Sequence, residues 1–69
     1  MPYILIQVTK EGVTREQKNT LIRGATDLVV RTLDKEPETT FVVIEEVETD
    51  NWGVGGQSVT ERRKDSIRS

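Results

Sequence analysis

Apolar residues dominate Tyr3-Ile4-Leu5-Ile6-Gln7-Val8, with Ile4, Ile6 and Val8 on one side of an extended chain and Tyr3, Leu5 and Gln7 on the other. This β-branched and aromatic run predicts a strand. Its second face is only partly polar, so both faces read as covered, one by a helix and the other by a neighbouring subunit. Lys10-Glu11-Gly12 predicts a polar loop with a turn residue. The period then changes. Thr14-Arg15-Glu16-Gln17 fits a capping box, in which the Thr14 hydroxyl accepts from the Gln17 amide and the Gln17 side chain reaches back. Leu21, Ile22, Ala25, Leu28, Val29 and Leu33 follow at helical spacing, with Lys18, Arg23, Asp27 and Arg31 on the polar side. The expected helix covers Arg15–Leu33 and stops before Asp34-Lys35-Glu36-Pro37, because Pro37 disfavours helical geometry at Glu36 and cannot extend the backbone ladder. Gly24 lies inside it, as a point of close packing or a tolerated surface glycine.

Residues 39–47, centred on Phe41-Val42-Val43-Ile44, predict a second and more apolar strand. Strand, helix and strand make a βαβ unit with parallel strands and a right-handed crossover. Two strands are too few to be stable alone and leave edges exposed, which points to subunits pairing their sheets. Trp52-Gly53-Val54-Gly55-Gly56 comes next, followed by a polar stretch over residues 57–69 that contains Arg62-Arg63-Lys64. The expected fold is α/β (α+β): a single βαβ unit plus a C-terminal hairpin or loop. It forms one domain over residues 1–69, with about 60–69 a frayed or subunit-docked tail.

Composition narrows the means of stabilisation. A domain of 69 residues buries so little that its stability is marginal without help. The chain has no Cys and no His, which excludes a disulfide framework, a Cys/His zinc site, and catalysis by either residue. Oligomerisation is the remaining route and the expected one, with a marginally stable monomer as the alternative. Ten basic and twelve acidic residues give a net charge of -2, so no overall field favours nucleic acid. The apolar runs are shorter than a membrane span, and the N-terminus does not read as a signal peptide. The expected setting is the cytoplasm.

In order and spacing, several of these features together resemble the short-subunit branch of the 4-oxalocrotonate tautomerase superfamily. They are Met1-Pro2 opening directly into a strand, Glu11-Gly12 in the first loop, and Glu16-Gln17-Lys18 followed by Leu21-Ile22-Arg23 on the helix. A strand ending Ile44-Glu45-Glu46 and the aromatic-Gly-Val-Gly-Gly loop at Trp52 complete the set. The resemblance implies a βαβ subunit pairing into dimers with a four-stranded sheet, commonly three dimers to a hexamer, with active sites between subunits. It also implies an isomerase that interconverts enol and keto forms of a 2-oxo acid without cofactor or metal. Pro2, once Met1 is removed, is then the catalytic base. An α-amine titrates near ~8 in a model peptide; an apolar pocket and a nearby cation lower that value and leave the amine neutral enough to accept a proton.

Two arginines that grip a dicarboxylate in the family's best-known members are missing. The place after the first-loop glycine is Val13, and the place in the second strand is Phe41, or Val42 if the insertion near Glu36 shifts the register. No apolar residue replaces a guanidinium fork. Val13, Phe41 and Trp52 are therefore expected to form an apolar pocket suited to a monoacid or aromatic keto acid, with Lys10 or Arg15 as candidates for a replacement charge. Trp52 matches the aromatic residue that shields the proline, and it also reads as an interface anchor. Glu45 and Glu46 are adjacent and face opposite ways, which makes them a poor catalytic pair. Two rival functions stand beside the tautomerase. One is a cofactor-free hydratase or dehalogenase of an unsaturated acid, disfavoured because no acidic residue stands within residues 52–56. The other is a non-catalytic oligomeric scaffold or binding protein.

Overall fold

In the computed structural model, which describes the backbone of residues 1–68 and the side chains of residues 1–65, the predicted βαβ unit is present. Strand β1 covers Tyr3–Thr9, helix α1 covers Arg15–Leu33 and strand β2 covers Phe41–Val47. The strands are parallel, in a register that pairs Tyr3 with Phe41, Leu5 with Val43 and Thr9 with Val47. The capping box forms as read. The Gln17 amide donates to Thr14 Oγ1 at 3.1 Å, and the Thr14 amide donates to Gln17 Oε1 at 2.9 Å. At the other end, Asp34 takes the left-handed conformation with φ 53°. Thr14→Ala removes a hydroxyl cap and is expected to cost about 1 kcal/mol. Urea unfolding at fixed protein concentration checks this; an unmoved midpoint would mean the cap contributes nothing.

Strand β2 starts later than expected. Residues Pro37–Thr39 form a 3-10 turn, in which the Thr39 and Thr40 hydroxyls donate to the Glu36 carbonyl at 3.2 and 2.9 Å. Pro37 fixes the turn geometry at its first position, so the β-forming threonines close a turn rather than open a strand.

The helix stripe also sits differently. Ala25, Thr26, Val29 and Val30 are half-buried, whereas Leu28 and Leu33 are more than half exposed. Lys18, read as a solvent residue, is half-buried, and its ammonium lies 2.6 Å from Glu46 of β2. A two-stranded sheet is too narrow to cover a whole apolar stripe, and a carboxylate on the covered face draws the lysine inward. Leu21, Gly24 and Leu28 share one exposed helix face, and a Cβ on Gly24 would meet nothing within 4 Å. Close packing within the chain is therefore not what Gly24 provides.

After β2, a 3-10 turn at Thr49–Asn51 leads to a hairpin of β3 (Gly53–Val54) and β4 (Gln57–Ser58). Its two-residue turn has Gly55 at φ 61° and Gly56 at φ 86°, the pair of positive angles that the tightest hairpin turns demand. Residues 60–69 were expected to be a frayed or docked tail. Instead Val59–Arg68 form helix α2, and Ser69 lies outside the described residues. Ser58 Oγ accepts from the Glu61 amide at 3.2 Å and caps this helix. Thr60 Oγ1 donates to Asp50 at 2.5 Å, and Gln57 Nε2 donates to Asp65 at 2.7 Å. Hairpin and helix are thereby tied into one unit. Ser58-x-x-Glu61 is itself an N-cap signature.

Helix α1 covers the sheet face that carries Val42, Ile44 and Glu46. The other face is bare: Tyr3 is 62% exposed, Phe41 47%, Val43 43% and Leu5 42%, with Gln7 Nε2 donating to Glu45 at 2.7 Å beside them. No hydrophobic residue among the described ones is fully buried. The radius of gyration is 16.0 Å, against about 11 Å for a compact chain of this length. The accessible surface is 5423 Å², roughly 1,000 Å² more than a compact monomer of this mass exposes. That excess is comparable to the surface one partner commits to a stable interface, about 800 Å². An excess of that size is enough for another chain to cover. No described helix is long and apolar enough to cross a membrane.

Candidate active site

The parallel pairing decides which candidate residues can meet. Both strands begin at one end of the sheet, where the Phe41 amide donates to the Pro2 carbonyl at 2.9 Å. That bond extends the β1–β2 ladder by one residue and fixes the orientation of Pro2 relative to Phe41. Pro2 is half-buried, and Met1, on its nitrogen, is 86% exposed. The Phe41 ring shares the bare sheet face with Tyr3 and Val43, while Val42 turns toward α1. The bare face thus begins at Tyr3 and Phe41, the residue after Pro2 and its cross-strand partner, while Pro2 itself falls in register with Ile4.

Lys10, Val13 and Trp52 lie at the other end, beyond the C-termini of the strands. At ordinary strand rise, seven residues of β1 separate the two ends by about 20 Å. The Lys10 amide donates to the Val47 carbonyl at 2.7 Å, extending the ladder there, and its ammonium lies 3.3 Å from Glu48. Both members of that pair are exposed, so the bond is weak, and Lys10 spends its charge away from Pro2. Val13 is half-buried and lines an open hollow with Thr14, Gln17, Thr20 and Leu21 at the start of α1. Trp52 is half-buried in a second hollow with Gln7, Val47, Asn51 and Gly53. The amide of Val59 donates to the Trp52 carbonyl at 2.8 Å and holds it at the base of the hairpin.

Within one chain, then, Pro2 and Phe41 are together, and Val13, Lys10 and Trp52 are remote from them. Pro2 and Trp52 stand at opposite ends of the sheet, so this chain by itself does not enclose them in one site.

The basic run near the C-terminus takes a definite place in the fold. Arg63 reaches back to Glu11 at 2.5 Å, and the Thr9 hydroxyl donates to the same carboxylate. The Arg63 guanidinium beside it, followed by the Thr9 hydroxyl, holds the Glu11 carboxyl below the ordinary carboxylate range, while Glu11 raises Arg63. This latch fastens α2 to the loop that carries Val13. Lys64 lies 3.8 Å from Glu61. A frayed or subunit-docked tail over residues 60–69 leaves no room for this latch; the Ser58-x-x-Glu61 cap was the available signal. Glu45 and Glu46 face opposite sides of β2 and bond to Gln7 and Lys18 respectively. Among the described residues, no cluster of three or more acidic side chains could hold a metal.

Comparison with known proteins adds a family. Residues 2–62 match the profile of the tautomerase enzyme family. A probable tautomerase of Dickeya dadantii is 64% identical over 64 residues, covering 93% of this chain and 96% of that protein. The crystal structure of DmpI from Helicobacter pylori superposes with a TM-score of 0.84 at 43% identity, covering 91% of this chain and 97% of that one. A heterohexameric 4-oxalocrotonate tautomerase from Chloroflexus aurantiacus superposes with a TM-score of 0.80 at 30% identity, covering 88% and 97% of the two chains.

Proposed function

The chain belongs to the tautomerase family, and from that premise we propose that it interconverts the enol and keto forms of a 2-oxo acid with the amine of Pro2 as general base and acid. The amine is freed when Met1 is removed. The observation that carries this reading is the bond from the Phe41 amide to the Pro2 carbonyl, which holds Pro2 at the end of the sheet next to the exposed Tyr3 and Phe41. An amine covered there by a neighbouring subunit loses hydration, and its ammonium form is disfavoured. It can then take a proton from the carbon next to the ketone: the C–H bond breaks, an N–H bond forms, and the electron pair moves to the carbonyl oxygen. That oxygen takes a proton from water to complete the enol, and gives it back to water when the ketone re-forms. In the ketonising direction Pro2 returns the proton to carbon. The chemistry calls for no cofactor or metal.

The same reading has Trp52 of a neighbouring chain close the pocket over Pro2 and Phe41. The bare sheet face and the Leu21–Gly24–Leu28 side of α1 then become subunit contacts in a homo-oligomer, a hexamer by analogy with the family, acting in the cytoplasm. With Val13 and Phe41 in place of the family's arginines, the pocket favours a monoacid or an aromatic keto acid over a dicarboxylate. Ketonisation of phenylenolpyruvate by protein whose mass confirms loss of Met1 is the experiment. Turnover above the buffer rate supports the reading; a rate no faster than buffer moves the function to another substrate or to a non-catalytic oligomer.

A further inference from the structure

Arg62 stands on the unit that carries Trp52, and among the described residues no carboxylate takes up its charge. The hairpin and α2 are tied together by the Ser58 cap, the Gln57–Asp65 bond and the Thr60–Asp50 bond, so Arg62 and Trp52 move as parts of one body. The Arg62 Nη1 atom lies 3.9 Å from the point a Cβ on Gly55 would occupy. The guanidinium is thus laid over the hairpin tip, where Gly55 has no side chain to obstruct it. Both cationic neighbours are engaged: Arg63 pairs with Glu11 and Lys64 with Glu61. Asp65, one helical turn further on, is the carboxylate best spaced to pair with Arg62, and its Oδ2 atom accepts from Gln57 instead. Among the described residues, Arg62 has no carboxylate partner.

We propose that Arg62 binds the carboxylate of the 2-oxo acid substrate and supplies the positive charge that Val13 and Phe41 do not. The inference rests on the proposed site, in which Trp52 of one chain covers Pro2 of another. Arg62 is carried on the same hairpin and helix unit, so it travels with Trp52 to the pocket that the unit covers. A guanidinium offers parallel N–H donors that match a carboxylate, and on a surface of this polarity it is selective for an anion over a neutral ketone. One such cation, against the family's two, suits a monoacid.

Equilibrium binding of phenylpyruvate to the Met1-free assembly, read by the fluorescence of Trp52, tests this without requiring turnover. Trp52 is the sole tryptophan. Arg62→Ala and Arg62→Gln are expected to weaken binding by about ten- to a hundred-fold, the loss of a charge-assisted bond. Arg62→Lys recovers part of the affinity and Lys64→Ala leaves it unchanged, with sedimentation confirming that every variant assembles alike. Unchanged affinity in Arg62→Ala, no binding by the unsubstituted protein, or equal affinities for Arg62→Lys and Arg62→Gln each overturn the inference. Arg62-dependent binding without Pro2-dependent turnover leaves the carboxylate site standing and sinks the tautomerase reading.

Discussion

Replacing Pro2 by alanine is expected to lower kcat/KM for phenylenolpyruvate ketonisation by about a hundred- to ten-thousand-fold, the range that a positioned general acid or base contributes. The reason lies in the position of the nitrogen. Pro2 is tied to Phe41 through its carbonyl, so its place at the end of the sheet is fixed before substrate arrives. Alanine keeps an α-amine but loses the ring that restricts it, and it is a primary amine at a less fixed site. Protein that retains Met1 is expected to be equally impaired, because its Pro2 nitrogen is an amide. Full activity in either form would remove Pro2 from the chemistry and leave the family membership without its assigned base.

Placing lysine at Leu5 and Val43 together is expected to break the assembly and with it the cooperative unfolding transition. In a monomer both positions are surface sites, 42% and 43% exposed, where substitutions ordinarily change stability by no more than about 0.5 kcal/mol. In the proposed oligomer they lie in the buried interface, and two unpaired ammonium groups there cost several kcal/mol each. The two accounts differ so far that sedimentation and thermal melting of the double variant decide between them. A species of lower mass without a sharp melt is the expected outcome. An unchanged particle with an unchanged melt would show that this face does not carry the assembly. The variant also has a predicted effect on activity, since a lone chain holds Pro2 and Trp52 at opposite ends of its sheet.

Much of the fold could be read from local chemistry. Thr14 and Gln17 announce the start of α1, Pro37 bars its continuation, and the glycines at 55 and 56 demand a tight turn. What the sequence concealed was set by partners. Helical spacing identifies an apolar stripe but not how much of it a two-stranded sheet can cover, so Leu28 and Leu33 were misplaced. Lys18 was misplaced because Glu46, its partner on β2, is distant in sequence. Helix α2 was lost among charges; its cap at Ser58 was visible, but its reason to fold, the bonds to Asp50 and Glu11, was not. The candidate site was the least legible part. Val13, Phe41, Trp52 and Lys10 can be named from sequence, but parallel pairing separates Phe41 from the other three, and no single-chain pattern says which copy supplies each.

The central claim is that Pro2 becomes a base only inside a pocket built by more than one chain. Nitrogen NMR titration of the Pro2 amine, in Met1-free protein labelled at proline, measures this directly. The account predicts a pKa well below that of an ordinary α-amine in the assembly, because covering the apolar face desolvates the ammonium, and a return to the ordinary value in the Leu5→Lys, Val43→Lys variant. An ordinary value in the intact assembly would contradict it.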